Sequence, residues 1–202
     1  MRRGISILLI IAVATVFSGC DNSRQIETAS IIKNVSVDRR GSQVVYTFYR
    51  LSSGETPWGI DVPADSFEEA CALARDMYIP NLSLAKLELL MLSEDVYEEV
   101  MQDDVDYIST QASFSPIAYV TLCDDTTIEK IKETNRTQRV IEEQLILLKK
   151  NNPSVNINYL SIFNNFARRG EDSFTVPFIS SEKELKVSEI EINRKKMKKS
   201  AK

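Results

Sequence analysis

The chain has 202 residues, with 25 Lys and Arg against 29 Asp and Glu, a net charge of −4 and no histidine at all. Its acidic balance argues against nucleic acid as a partner. The missing histidine removes Ser-His-Asp triads, Cys-His dyads and His-bound zinc from the chemistry it can perform.

The first element is a leader. Arg2 and Arg3 precede an apolar run from Ile5 to Phe17, 13 residues long. That is short of the about 20 residues a membrane-spanning helix needs, but it fits the apolar segment of an export signal. Small residues, Ser18 and Gly19, then lead into Cys20. The stretch "VFSGC" resembles a bacterial lipobox, with Phe17 where leucine is usual. The resemblance implies cleavage before Cys20 and a diacylglycerol thioether on it. Residues 1–19 are thus expected to be a lipoprotein signal and 20–25 a short tether. Residues 26–192 would be one α/β domain, and 193–202 a basic disordered tail.

Within the domain, Ile31–Val37 and Gln43–Phe48 are rich in β-branched and aromatic residues, with turn chemistry and Gly41 between them. They predict a β-hairpin. Ser52–Ala64 holds two glycines and two prolines and reads as loop. Ser66 and Glu69 form a capping-box pattern, and Phe67, Ala70, Cys71, Ala74 and Met77 fall at helical spacing behind it. The apolar run Lys86–Leu92 predicts a buried strand with Leu90 in the core. Ser93 is expected to cap a helix holding Val96, Tyr97 and Val100, and a short helix is expected over Val105–Thr110.

Ile117–Leu122 predicts a second central strand with Val120 buried, and Thr126 with Glu129 a second capping box. A helix follows with Val140, Ile141, Leu145 and Leu148 on one face. Another places Leu160, Phe163 and Ala167 at helical spacing, with Gly170 as its stop. Glu184–Ile192 alternates well enough to predict a last strand. Strands separated by helical segments indicate a mixed α/β fold: a mixed β-sheet with an N-terminal hairpin and several flanking helices.

Little in this pattern points to catalysis. Asp103, Asp104 and Asp106 cluster, as do Asp124 and Asp125, but each group stands where a helix begins and acids are favoured on that ground alone. No calcium-loop pattern surrounds them, and there is no phosphate-binding glycine motif and no nucleophile elbow. Tyr46, Phe48 and Tyr49 read as core and sheet surface. Cys71 and Cys123 read as buried small hydrophobes, although export would permit them to pair. No catalytic, metal-binding or cofactor-binding residue is therefore assigned; the one site residue is Cys20, as a lipidation site.

Several stretches in order carry a family likeness. They are "RQIE" after the lipid cysteine, "VSVD" at Val35–Asp38, "SFEEACALA", "LELLMLSEDVYEE", "IAYVTLCDDTTIEKI" and "FNNFARRGEDSFTVPFI". Together they resemble the N-terminal part of the Ger(x)C family, the lipoprotein C subunit of spore germinant receptors. Ser36 stands where that family has a glycine, and its histidine before the second strand region and its Arg-Asp pair are missing here. Longer relatives carry two further α/β domains, whereas this sequence stops near the end of the first. The resemblance implies a non-enzymatic accessory subunit on the outer face of the spore inner membrane, partnered by integral-membrane receptor subunits. No residue marks a small-molecule site. The competing reading is a substrate-binding lipoprotein of a transporter.

Overall fold

The structure, a computed structural model, describes residues 30–50, 58–103, 105–110, 114–133, 135–167, 173–181 and 185–193. Cys20, the tether, Gly170 and residues 194–202 of the tail lie outside them. The chain enters at β1 (Ser30–Arg40) and turns back through β2 (Gln43–Arg50), with Arg40 opposite Gln43. The hairpin is thus tighter than the sequence suggested. Gly41, at φ 65°, supplies the one positive φ that a two-residue loop opening on glycine requires.

The expected loop over Ser52–Ala64 is corrected next. Residues 58–63 form β3 (Trp58–Pro63), antiparallel to β2. Its composition misleads because it is an edge strand, where proline costs no ladder bond and glycine admits close approach. A Cβ on Gly59 would lie 2.9 Å from Thr47 Cγ2 and 3.0 Å from Tyr49 Cε1.

α1 (Phe67–Met77) follows as expected. Ser66 Oγ accepts from Glu69 N at 3.2 Å, while Glu69 Oε2 reaches back one residue further, to Asp65 N at 2.9 Å. Phe67, Ala70, Cys71 and Ala74 are buried, but Met77, assigned to the same face, is exposed. Two-residue β4 (Leu82–Ser83) then runs parallel to the start of β1.

The first central strand is β5 (Leu89–Ser93), displaced from the expected Lys86–Leu92. Ser93 therefore ends a strand rather than capping a helix, and α2 (Tyr97–Asp103) starts after an intervening turn. α3 (Val105–Thr110) matches its expectation. The second central strand is β6 (Tyr119–Cys123), which leaves Ile117 outside it and exposed. Leu90 and Val120 are both core residues, as predicted.

Asp124, not Thr126, caps α4 (Asp125–Glu133): its Oδ1 accepts from Thr127 N at 2.7 Å. Asp124, two positions earlier, stands directly before the helix, where its carboxylate reaches the Thr127 amide. α5 (Asn135–Asn151) buries Ile141 and Leu145, with Val140 and Leu148 half-buried. In α6 (Tyr159–Ala167) the inward residues are Tyr159 and Ile162, while Leu160 is exposed. The sequence reading missed β7 (Ser173–Ser180) because Pro177 interrupts it. It is a full strand between β6 and the final β8 (Lys186–Asn193). Asn193, expected in the tail, is the last residue of β8.

Among the described residues the sheet has eight strands, in the order β3-β2-β1-β5-β6-β7-β8, with β4 beside β1. Its centre, β1-β5-β6-β7, is parallel; antiparallel pairings add β2 and β3 on one side and β8 on the other. Period-two alternation sends Leu90, Leu92, Val120, Leu122, Val35 and Val37 to one face. There they pack against α1, α2, α3 and α6. Phe67 is the hub, its ring centroid 5.7 Å from Tyr46 and 6.4 Å from Phe114. Leu89, Met91, Cys123 and Ile179 face the other way, against Ile128 and Ile131 of α4 and Ile141 and Leu145 of α5. Helices on both faces explain why β5 is buried throughout. The molecule is thus of the mixed α/β class, as expected.

Candidate functional site at the carboxyl edge of the sheet

In sheets of this kind, ligands bind where parallel strands end. Here β5 ends on Ser93 and runs into Glu94 and Asp95, and β6 ends on Cys123 and runs into Asp124 and Asp125. Those four acids line an open depression of about 360 Å³. Asp124 and Asp125, grouped in the sequence, are thereby joined by two acids that the sequence reading assigned to a helix start. Asp103, Asp104 and Asp106 are not brought to this edge by any described contact, and their side chains lie outside the described residues.

The chemistry available here is limited. Asp124 is fully engaged. Its Oδ1 also accepts from Thr126 Oγ1 at 2.9 Å, and its Oδ2 from Ser181 N at 3.2 Å, tying the end of β7 to the start of α4. Burial pushes its carboxyl up, but the Thr127, Thr126 and Ser181 hydrogen bonds outweigh that and hold it below the ordinary value. Asp95 Oδ1 accepts from Ser93 Oγ, and Arg39 bridges toward Asp95 and Glu99. Asp125 is exposed; partial burial and the charges of Asp95, Asp38 and Asp124 raise its carboxyl. Among the described residues no group of three or more His, Cys, Asp or Glu is arranged to hold a metal.

A second polar group lies beside this edge and was not found from sequence. Asn34, Ser36 and Asp38 alternate with Val35 and Val37 along β1, so they share the face covered by α4 and α5. Arg40 Nε donates to Asp38 Oδ2 at 2.9 Å. Its two Nη atoms donate to both oxygens of Asp61 on β3. Thr47 Oγ1 donates to Asp61 Oδ1 at 2.6 Å, and Lys132 of α4 stands 3.5 Å from Asp38. Two acids face two bases, so the group neutralises itself. The hydrogen bond to Asp61 leads in raising the Arg40 guanidinium above its ordinary value. For Asp61, burial raises the carboxyl and the Arg40 and Thr47 hydrogen bonds outweigh it. The arrangement clamps β1, β2, β3 and α4 together rather than presenting a charge to a ligand. The alternating polar positions of β1 were the one visible signal; most of their partners, Tyr49, Lys132 and Gln138, come from other elements and were not.

Further along the same face, Ser36 Oγ and Tyr49 Oη are 3.0 Å apart, and Asn34 Nδ2 donates to Gln138 Oε1 of α5. Asn34 Oδ1 and Gln138 Nε2 are buried without partners. Cys71 and Cys123 are buried on opposite faces of the sheet. The described residues form a single sheet, without the two lobes that a substrate-binding lipoprotein closes around its ligand. No described helix is long and apolar enough to cross a membrane.

Searches of curated proteins and of solved structures find no match to this chain. A family model does match, over residues 22–181: the spore germination protein N-terminal domain. The match begins two residues after Cys20 and runs to the residue that follows β7, so it takes in the whole parallel core and every described helix. The chain belongs to the spore germination protein N-terminal domain family, and its role lies in spore germination.

Proposed function

We propose that this chain is a lipid-anchored, non-catalytic subunit of a germinant receptor, held at the membrane through Cys20 and acting by contact with integral-membrane receptor subunits. The observation that carries the reading is the family match starting at residue 22, directly behind a lipobox-like "VFSGC". A domain that follows its lipid by so few residues works close to the bilayer. Its task in this reading is positioning and contact, in keeping with carboxylates that are hydrogen-bonded, paired or open to solvent. The surface is then the functional feature, and nutrient sensing falls to the assembled receptor.

Cys20→Ala tests the anchor. The wild-type chain is expected to take up labelled fatty acid and to run at the size of a product cut before residue 20. The variant should do neither. An unlabelled wild-type chain, or a variant processed to the same size, would refute the anchor. Affinity purification of the wild-type chain from spore membranes should recover integral-membrane subunits; recovery of a transport ATPase instead would favour the transporter reading.

A further inference from the structure

The order of the strands places both ends of the described domain on one side. β1 begins at Ser30, alongside β4, at the amino edge of the parallel strands. β8 runs antiparallel to β7 and ends with Asn193 opposite Ser173, the first residue of β7. The chain therefore arrives from Cys20, and leaves toward Arg194, Lys195, Lys196, Lys198, Lys199 and Lys202, at the same edge.

Exposed apolar side chains gather there as well. Met77 is 59% exposed and Tyr78 48% exposed, at the turn into β4. Ile117 is 73% exposed just before β6, and Leu160 is 49% exposed. Leu160 N donates to Pro116 O at 3.1 Å, which puts it beside Ile117. The opposite edge bears the acidic rim of Glu94, Asp95, Asp124 and Asp125. We propose that the amino edge of the sheet is a membrane-docking face, seated on anionic lipid headgroups by Met77, Tyr78, Ile117 and Leu160, with the acidic rim turned away toward protein partners.

This rests on Cys20 being the lipid anchor, and reach supports it. The ten steps from Cys20 to Ser30 span at most about 36 Å when fully extended. The eleven residues of β1 are about 33 Å long. Bringing the acidic edge to the bilayer would thus need the whole tether drawn taut along the domain. Anionic headgroups would also repel that edge, whereas the cations beyond Asn193 are attracted to them. Exposed apolar groups flanked by a basic segment suit the headgroup boundary.

The test uses the full lipidated chain on vesicles of phosphatidylglycerol and of phosphatidylcholine, with the Cys20 adduct confirmed by mass. On phosphatidylglycerol, amide exchange should slow by roughly tenfold over residues 76–80, 115–119 and 159–161, and stay unchanged over 93–96 and 124–127. Ile117→Asp with Leu160→Asp should abolish that protection while vesicle flotation persists; circular dichroism checks that the fold is kept. Lys195, Lys196, Lys198 and Lys199 changed to Gln should lower the preference for anionic vesicles by about fivefold per charge. Protection at the acidic rim, equal protection at both edges, or none would overturn the docking face. So would protection that appears only in membranes holding other proteins, which would make the face a protein contact. An unmodified Cys20 would instead remove the anchor reading. The exchange pattern of that same chain on anionic vesicles then decides the face by itself.

Discussion

Glu142 on α5 is half-buried, and burial followed by the negative charge of Glu88 pushes its carboxyl up to about 7, against the opposing pull of Lys33 and Arg139. Between its ordinary value of 4.5 and about 7, the folded chain holds a proton that the unfolded chain has lost. Stability therefore falls as pH rises through that window and is constant above it. Glu142→Gln removes the titration. The expected gain at pH 8 is about 1 kcal/mol once solvent screening of a half-exposed group is allowed for, with none at pH 4. Urea unfolding at the two pH values measures it, and an equal effect at both would show that the group is not perturbed. Leu90 lies at the other extreme, fully buried in the larger core. Leu90→Ala should cost about 2–5 kcal/mol in the same assay, through lost burial and the cavity left behind.

Elements here are joined at their ends as much as along their faces. Asp124 satisfies the first free amide of α4 and also holds the backbone of Ser181 after β7. Asp124→Ala removes a helix cap and leaves a buried amide without its partner, for an expected loss of about 1–3 kcal/mol. Asp124→Asn should retain the helix cap but lose the bond from Ser181 N, because the amide has only one oxygen that can accept. The carboxylate's own share is present above its ordinary value of 3.8 and is lost as pH falls through its lower folded value. Acid titration of wild type against the Asn variant reads this out: the two should converge at low pH. The Asp38–Arg40–Asp61 clamp does similar work nearer the β3 side of the same edge, holding edge strand β3, whose own sequence has little strand character.

At the scale of the whole molecule, the sheet is a wall between two cores. Cys71 lies in the core on one side and Cys123 in the core on the other, where burial raises its thiol. A disulfide between them would have to pass through the sheet. Both thiols should therefore react with an aromatic disulfide reagent only as fast as the molecule unfolds globally, and together. In denaturant without reductant, two thiols should titrate in a chain whose Cys20 is lipidated or replaced by alanine. Fast reaction of one in native buffer, or no thiols in denaturant, would contradict the two-core arrangement. The same wall separates the molecule's poles, with both described chain ends at the amino edge and the acidic rim at the carboxyl edge.

Local chemistry alone determined the hairpin around Gly41, the Ser66 cap of α1 and the burial of Leu90 and Val120. Each depends on residues a few positions apart, or on apolar density strong enough for one outcome. The exclusion of histidine chemistry and the resemblance in motif order were equally open in the sequence. Tertiary structure decided the rest. β3 and β7 contain glycine or proline and become strands because a neighbouring strand supplies the pairing. Ile117 and Leu160 look like core residues by type and spacing, yet the register of β6 and the rotation of α6 leave them outside. The carboxyl-edge depression joins acids from two strand ends, and the Arg40 clamp joins three strands and a helix. The shared edge of the chain ends follows from β8 running against β7. None of these could be read locally, because each is a pairing across the fold rather than a preference of the residues that make it.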